Sequence, residues 1–335
     1  MRRVETIIVV LALAFYVWFL SHFGTREVLN YVRLAGWGLA LTISLEALAR
    51  VANTVGWWVT IGHHGHGVRF SQLFAARIAG EAIDYVTPSA QLGGQFVMAM
   101  MVRRYLEMAV GLATVVIASL SEMIGQIGFI MLALLASIRL VPRSSDFFWA
   151  IIGGLMLAFA LIGAFFFVQR KHPFSYLLAA AAKLPGIDAD EYQGAAAEAD
   201  QFLLDFYAHH RVRLVVSCVC YLFAWSLGPV EIYILLRLLH QPASFGIALL
   251  VEAAGLLLER ATFIIPAKLV SQEGGKALIL ALLGYPVGVG FAIGFLRRIK
   301  EMVWVLFGLL SLLIHRMTVG TDTGAGRTDK IAALV

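Results

Sequence analysis

The residues of this chain that could do chemistry are charges set inside apolar runs. Arg297, Arg298, Lys300 and Glu301 interrupt the hydrophobic run 287–314. Glu259 lies near the end of a second run, Glu81 and Asp84 near the end of a third, and Glu122 within a fourth. An arginine so placed can grip an anion through two parallel hydrogen bonds. A carboxylate beside it can balance the charge or carry a proton. Glu81 and Asp84 are three residues apart on one helix face, the best pair here for acid–base work. No His-Glu-x-x-His, Gly-x-Ser-x-Gly or aspartate-rich metal pattern accompanies them. His63, His64 and His66 lie among glycines with no carboxylate or cysteine beside them, so they read as a loop, and neither a metal site nor a cofactor is expected. Cys218 and Cys220, two apart in an apolar stretch, point to different faces and indicate no disulfide framework.

The elements that hold these charges are membrane helices. Of 335 residues, 60% are hydrophobic and only 14% charged, against roughly a half and a quarter in soluble domains. Several apolar runs exceed the roughly 20 residues that span a bilayer, and they lack the alternation of a barrel strand. The net charge of +5 then concerns orientation rather than nucleic acid. Spans are expected at 4–20 (uncleaved), 34–61, 106–138, 147–168, 214–239 and 287–314. Within 34–61, Glu46 and Arg50 are four apart and read as a structural ion pair. The polar region 170–213 carries an amphipathic helix: Tyr192, Ala195, Ala199, Phe202, Leu203 and Phe206 share a face, with acids elsewhere. An acidic polar face suits packing on the protein's own basic loops better than on anionic lipid. The tail 315–335 reads as polar and disordered.

Two stretches too short to span comfortably interrupt this series. Residues 70–102 form a helix, a break at Pro88, Gly93 and Gly94, and a second short helix; 245–283 repeats the plan around Pro266, Gly274 and Gly275. Both read as re-entrant hairpins, and irregular backbone at membrane depth is tolerated only where it lines protein or a water-filled cavity. The two hairpins match in register. Glu81 and Pro88 meet Glu259 and Pro266 at a shift of 178 (81 to 259), and Gln95 meets Glu273. Glu122 and Met123 meet Glu301 and Met302 at a shift of 179 (122 to 301). The chain is therefore read as two membrane repeats, 1–140 and 141–314.

With the N-terminus inside, Arg2, Arg3, Arg69, Arg103, Arg104, Arg170 and Lys171 are cytoplasmic, and only Arg26, Arg33, Arg139, Arg143 and Arg237 lie outside. That bias fits a cytoplasmic N-terminus and C-terminus. About six spans plus two hairpins then place the repeats in opposite orientation, an arrangement typical of alternating-access transporters. The fold class expected is an all-α polytopic membrane protein with an inverted-topology repeat.

Residues 266–310 carry a further pattern: Pro266, then Gln272-Glu273-Gly274-Gly275, then Leu283-Gly284-Tyr285-Pro286, then Arg297-Arg298 in the last span. This resembles the transmembrane, flippase-like region of lysylphosphatidylglycerol synthases and their stand-alone relatives. Thr87-Pro88, Gly93-Gly94 and Arg103-Arg104 fit the same pattern, and Gly80 to Pro88 most resembles the branch associated with hopanoid biosynthesis. The resemblance implies an integral protein of the bacterial inner membrane that moves a lipid or lipid-linked head group between leaflets. It also leads us to expect no soluble aminoacyl-transferase domain, hence no lysyl transfer. The arginine that relatives often carry in the span after the first hairpin falls here at Ala118-Ser119.

On this reading Arg297 and Arg298 meet an anionic group. Thr87, Gln91, Gln95, Lys268, Gln272, Glu273 and Lys276 at the hairpin tips replace water around the head. Glu81, Asp84, Glu122, Glu259 and Glu301 balance charge, carry protons, or brace the hairpins. The substrates that fit are an anionic phospholipid, a polyprenyl phosphate or a hopanoid. Two alternatives stand beside it: a scaffold partnering lipid-synthesis enzymes, and a membrane-embedded lipid-modifying enzyme.

Overall fold

The computed structural model describes residues 33, 34, 36–62, 67–87, 92–137, isolated positions between 148 and 167, 193–261 and 273–320. Among them are nine helices: α1 (Trp37–Ile61), α2 (Phe70–Val86), α3 (Leu92–Val102), α4 (Met108–Ser137), α5 (Gln193–His209), α6 (Arg211–Leu238), α7 (Phe245–Ala261), α8 (Glu273–Leu282) and α9 (Val287–Gly320). The expected spans at 4–20 and 147–168, the three loop histidines and both proline breaks lie outside the described residues or mostly so.

Local chemistry sets the helix ends. Gly62, at φ 60, closes α1 with its N–H on the Trp58 carbonyl, a left-handed position that glycine fills without strain. At the start of α2 the Gln72 side chain accepts from the Arg69 backbone N–H at 2.9 Å. At its end Thr87 is extended, as a residue before proline must be, and its hydroxyl donates to the Ile83 carbonyl at 2.7 Å. The last helix is longer than its apolar run. Hydropathy marks where a span leaves the hydrocarbon, not where a helix stops, and α9 continues through His315 to Gly320.

Among the described residues three helices are long and apolar enough to cross a bilayer: 108–136, 211–238 and 287–318. These pack through several apolar clusters, of which two concern the site. In the first, Leu73 and Ala76 of α2, Met98 and Ala99 of α3 and Val115 of α4 meet Trp57 of α1 and Tyr221 of α6. In the second, Val251 of α7, Ile279 and Leu280 of α8 and Ile293 of α9 meet Leu235 of α6.

The helix pairings have a regularity. Exchange α1 with α6, α2 with α7, α3 with α8 and α4 with α9. The pair α1–α6 maps onto itself, α2–α9 maps onto α7–α4, and α2–α3 and α3–α4 map onto α7–α8 and α8–α9. The pairs α1–α2, α1–α4 and α1–α9 map onto α6–α7, α6–α9 and α6–α4 in the same way. Close crossings need glycine. A Cβ on Gly94 would overlap the Gly80 carbonyl of α2, and one on Gly308 would overlap the Ile78 carbonyl of α2.

The amphipathic helix docks on a neighbouring span through its apolar face. Ala199 of α5 packs on Ala109 and Ala113 of α4, and Leu203 and Phe206 pack with Ile117. Ala195 is exposed. Apolar burial therefore decides where α5 docks; of its acids Glu198 and Asp205 stay exposed, while Asp200 is buried with the apolar face.

Candidate functional site

Nine of the charges in the helices join into one chain of ion pairs. It begins at Glu122 of α4, whose Oε2 accepts from Arg77 Nη2 at 2.7 Å. Arg77, on α2, also donates through Nε to Glu81 Oε1 at 2.6 Å and through Nη1 to the Tyr221 hydroxyl at 3.1 Å. Glu81 contacts Arg50 of α1, and Arg50 contacts Glu46 at 3.2 Å one turn back. Glu46 Oε2 lies 2.8 Å from Lys300 Nζ of α9. Lys300 lies 2.8 Å from Glu231 Oε2 of α6, which also accepts from Arg297 Nε at 2.9 Å. Arg297 then forks onto Glu252 of α7 at 2.7 and 2.9 Å.

Sign alternates at every step, which is why the chain can exist. An ion taken from water costs several kcal/mol even after relaxation, and only well-placed opposite charges offset it. The surroundings are shaped to fit. Arg50 lies over the Trp304 ring, 5.0 Å from its centroid, and Arg77 lies 5.4 Å from that of Tyr221. Gly228 of α6 leaves room for the Glu252 carboxyl, since a Cβ there would come within 2.8 Å of Cδ.

The two halves hold the same rung with opposite signs. Arg77 and Glu122 are 45 residues apart, and so are Glu252 and Arg297. The first half carries the cation on the hairpin arm α2. The second carries it on α9 and places the carboxylate on the hairpin arm α7.

Exposure is also unequal. The side chains of Glu46, Glu81 and Glu122 keep 24, 26 and 29% of their surface. Those of Glu231 and Glu252 keep 4% each. The chain is open along its first-half carboxylates and sealed along its second-half ones.

The expected site residues fall into several groups. Glu46 and Arg50 do meet, but as two links of a longer chain. Arg297 has its guanidinium on two carboxylates rather than facing a cavity. Arg298, fully buried, reaches the Tyr85 hydroxyl at 3.4 Å. Lys276, 1% exposed, lies 3.5 Å from Glu259 Oε1. Gln95 donates to the Ser119 hydroxyl at 3.0 Å, where the sequence lacks an arginine. Asp84 Oδ1 accepts from the Gly94 N–H at 2.8 Å, tying the arms of the first hairpin together. Thr87 caps its own helix, and Glu301 acts on the Arg50 charge. Gly274 and Gly275 lie in the first turn of α8, and Gly93 in that of α3. Gln91, Lys268, Gln272 and the Glu273 side chain, with Pro88 and Pro266, lie outside the described residues. Arg77, Glu252 and Tyr221 were not expected in the site. Arg77 and Glu81 are four apart, as Glu46 and Arg50 are, so spacing could have revealed that pair. Glu252 has no such local partner.

Long apolar helices and an interior of paired charges define a helical integral membrane protein. Within that class, the chain belongs to the family described as the lysylphosphatidylglycerol synthase TM region, whose model matches residues 6–309. Neither a curated protein nor a solved structure matches it.

Proposed function

We propose that this protein moves a lipid or lipid-linked head group between the leaflets of the bacterial inner membrane, with both termini cytoplasmic. The observation that carries the reading is the ion-pair chain, which passes from one half of the protein to the other and is open on one half only. A head group must cross about 30 Å of hydrocarbon, and an unpaired polar group there costs several kcal/mol. A polar interior open along one half answers both demands. The exchange symmetry of the helix pairings supports two repeats of opposite orientation, each with a hairpin and about three spans. The family's link to lipids supports the substrate class, and the resemblance of 80–88 suggests hopanoid or related lipid metabolism.

The head group is assigned to Lys276 and Arg298, buried cations of α8 and α9 that would exchange their present contacts, Glu259 at 3.5 Å and the Tyr85 hydroxyl at 3.4 Å, for it. A phosphate would answer both. Proteoliposomes test this with fluorescent phosphatidylglycerol, a polyprenyl phosphate and a hopanoid head-group analogue. Transbilayer movement of at least one lipid is expected, chemically unaltered, and lost in Lys276→Met and Arg298→Met. No movement of any lipid sinks translocation in favour of a scaffold; altered lipid in the extracts makes the protein an enzyme.

A further inference from the structure

The ion-pair chain divides unevenly between the halves. Glu46, Glu81 and Glu122 share Arg50 and Arg77, three carboxylates on two guanidiniums. Glu231 and Glu252 share Arg297 and Lys300, two on two. The first half is thus short of one positive charge, and it shares Lys300 with Glu231 of the second through the 2.8 Å contact between Glu46 and Lys300. Of the ion pairs traced above, that contact joins the halves.

We propose that Glu46 is a proton-binding site, filled when the halves part at the Glu46–Lys300 contact and emptied when they close. When α9 withdraws, Lys300 keeps its 2.8 Å partner Glu231, and the second half remains neutral. The first-half cluster is left with an uncompensated negative charge, and a proton from water neutralises it on a carboxylate oxygen. On closing, the returning ammonium displaces that proton to water. The side chains of Glu46, Glu81 and Glu122, each about a quarter exposed, give water its route.

The surroundings select Glu46 among the three. After Lys300 leaves, Glu81 still has Arg50 and Arg77 of its own half, and Glu122 still has Arg77 at 2.7 Å. Glu46 keeps only a 3.2 Å contact to Arg50, which it shares with Glu81. The other charged groups that α1 faces are Glu231 of α6 and Arg297 of α9, both already paired, and Glu301 of α9, which acts on Arg50. Residue choice agrees. The chain's other cations are arginines, planar forks fixed by several bonds, whereas Lys300 is a compact charge on a flexible stem that can change partners.

Infrared spectroscopy of the purified protein reads the site directly and needs no transport. Lys300→Met at neutral pH is expected to show the carbonyl stretch of a protonated carboxyl group, absent from wild type and from Lys300→Arg. The band should vanish in Glu46→Gln/Lys300→Met. Its absence from Lys300→Met, or its survival in the double variant, overturns the assignment. Should Lys300→Met fail to fold, acid titration of wild type against Glu46→Gln decides: wild type gains a first carboxyl band that Glu46→Gln lacks, and identical titrations overturn the proposal. The link to transport rests on the translocation reading. An imposed pH gradient is expected to change the rate of lipid movement in wild type and to lose that effect in Glu46→Gln; movement indifferent to the gradient in wild type removes the coupling. If wild type moves no lipid, translocation fails and the infrared result still decides the proton site.

Discussion

Arg77 ties three helices with one guanidinium, reaching Glu81 on its own helix, Glu122 on α4 and Tyr221 on α6. Removing one partner of a fully buried pair costs about 3–5 kcal/mol, and the partial exposure of Glu81 and Glu122 lowers that cost here. Arg77→Met should therefore lower thermal stability in detergent clearly, and Arg77→Met/Glu122→Gln should recover part of the loss. A single variant as stable as wild type would show that the rung bears no load. At this scale the sequence was half legible. Glu46 and Arg50 stand one helical turn apart, and that spacing alone predicts contact. Glu252 offers no such clue, because its partner Arg297 is 45 residues away and only the meeting of α7 and α9 side chains brings them together. Arg297 misleads for the same reason: a lone arginine in an apolar run looks available for substrate until its carboxylates, from α6 and α7, are in place.

Helices and hairpins were legible where composition changes sharply. The expected 70–102 hairpin contains α2 and α3, and the expected 106–138 span contains α4. Boundaries set by polarity alone fared worse, as at the end of α9. The apolar face of α5 was legible but its partner was not: Leu203 and Phe206, both almost fully buried, set it on α4 beside Ile117. Truncating a buried phenylalanine costs about 3–5 kcal/mol. Phe206→Ala should loosen α5 from α4 and speed proteolysis within 193–209 while the spans remain protected; unchanged proteolysis would mean that other contacts hold the helix. A second contact is equally specific. Gly308 lets α9 lie against the α2 backbone at Ile78, and small residues are what allow membrane helices to approach so closely. Gly308→Val must push α9 outward, at about 1–3 kcal/mol for the overpacking. A loss of thermal stability is expected, and its absence would show that the crossing can widen freely.

For the whole molecule, the helix pairings obey an exchange that the charges do not. Apart from α5, which docks on α4 alone of that pair, the helix pairings treat α2 and α7, or α4 and α9, alike, yet Arg77–Glu122 and Glu252–Arg297 reverse their signs. The reversal makes the halves electrically distinct, so the two ends of the chain need not open together. In the arrangement described here Glu46, Glu81 and Glu122 are accessible, and Glu231 and Glu252 are sealed. Interiors of packed helices switch between discrete arrangements rather than deform smoothly. The second arrangement expected of a translocator is the opposite one, with the second-half carboxylates open. A water-soluble carbodiimide followed by peptide mass spectrometry reads this. In the resting protein, labelling should favour Glu46, Glu81 and Glu122 over Glu231 and Glu252. With a transported lipid present the two sealed positions should gain label and the three open ones lose it. Labelling that stays with the first half under every condition would leave the molecule with one accessible state, and a protein with one state cannot carry a head group across.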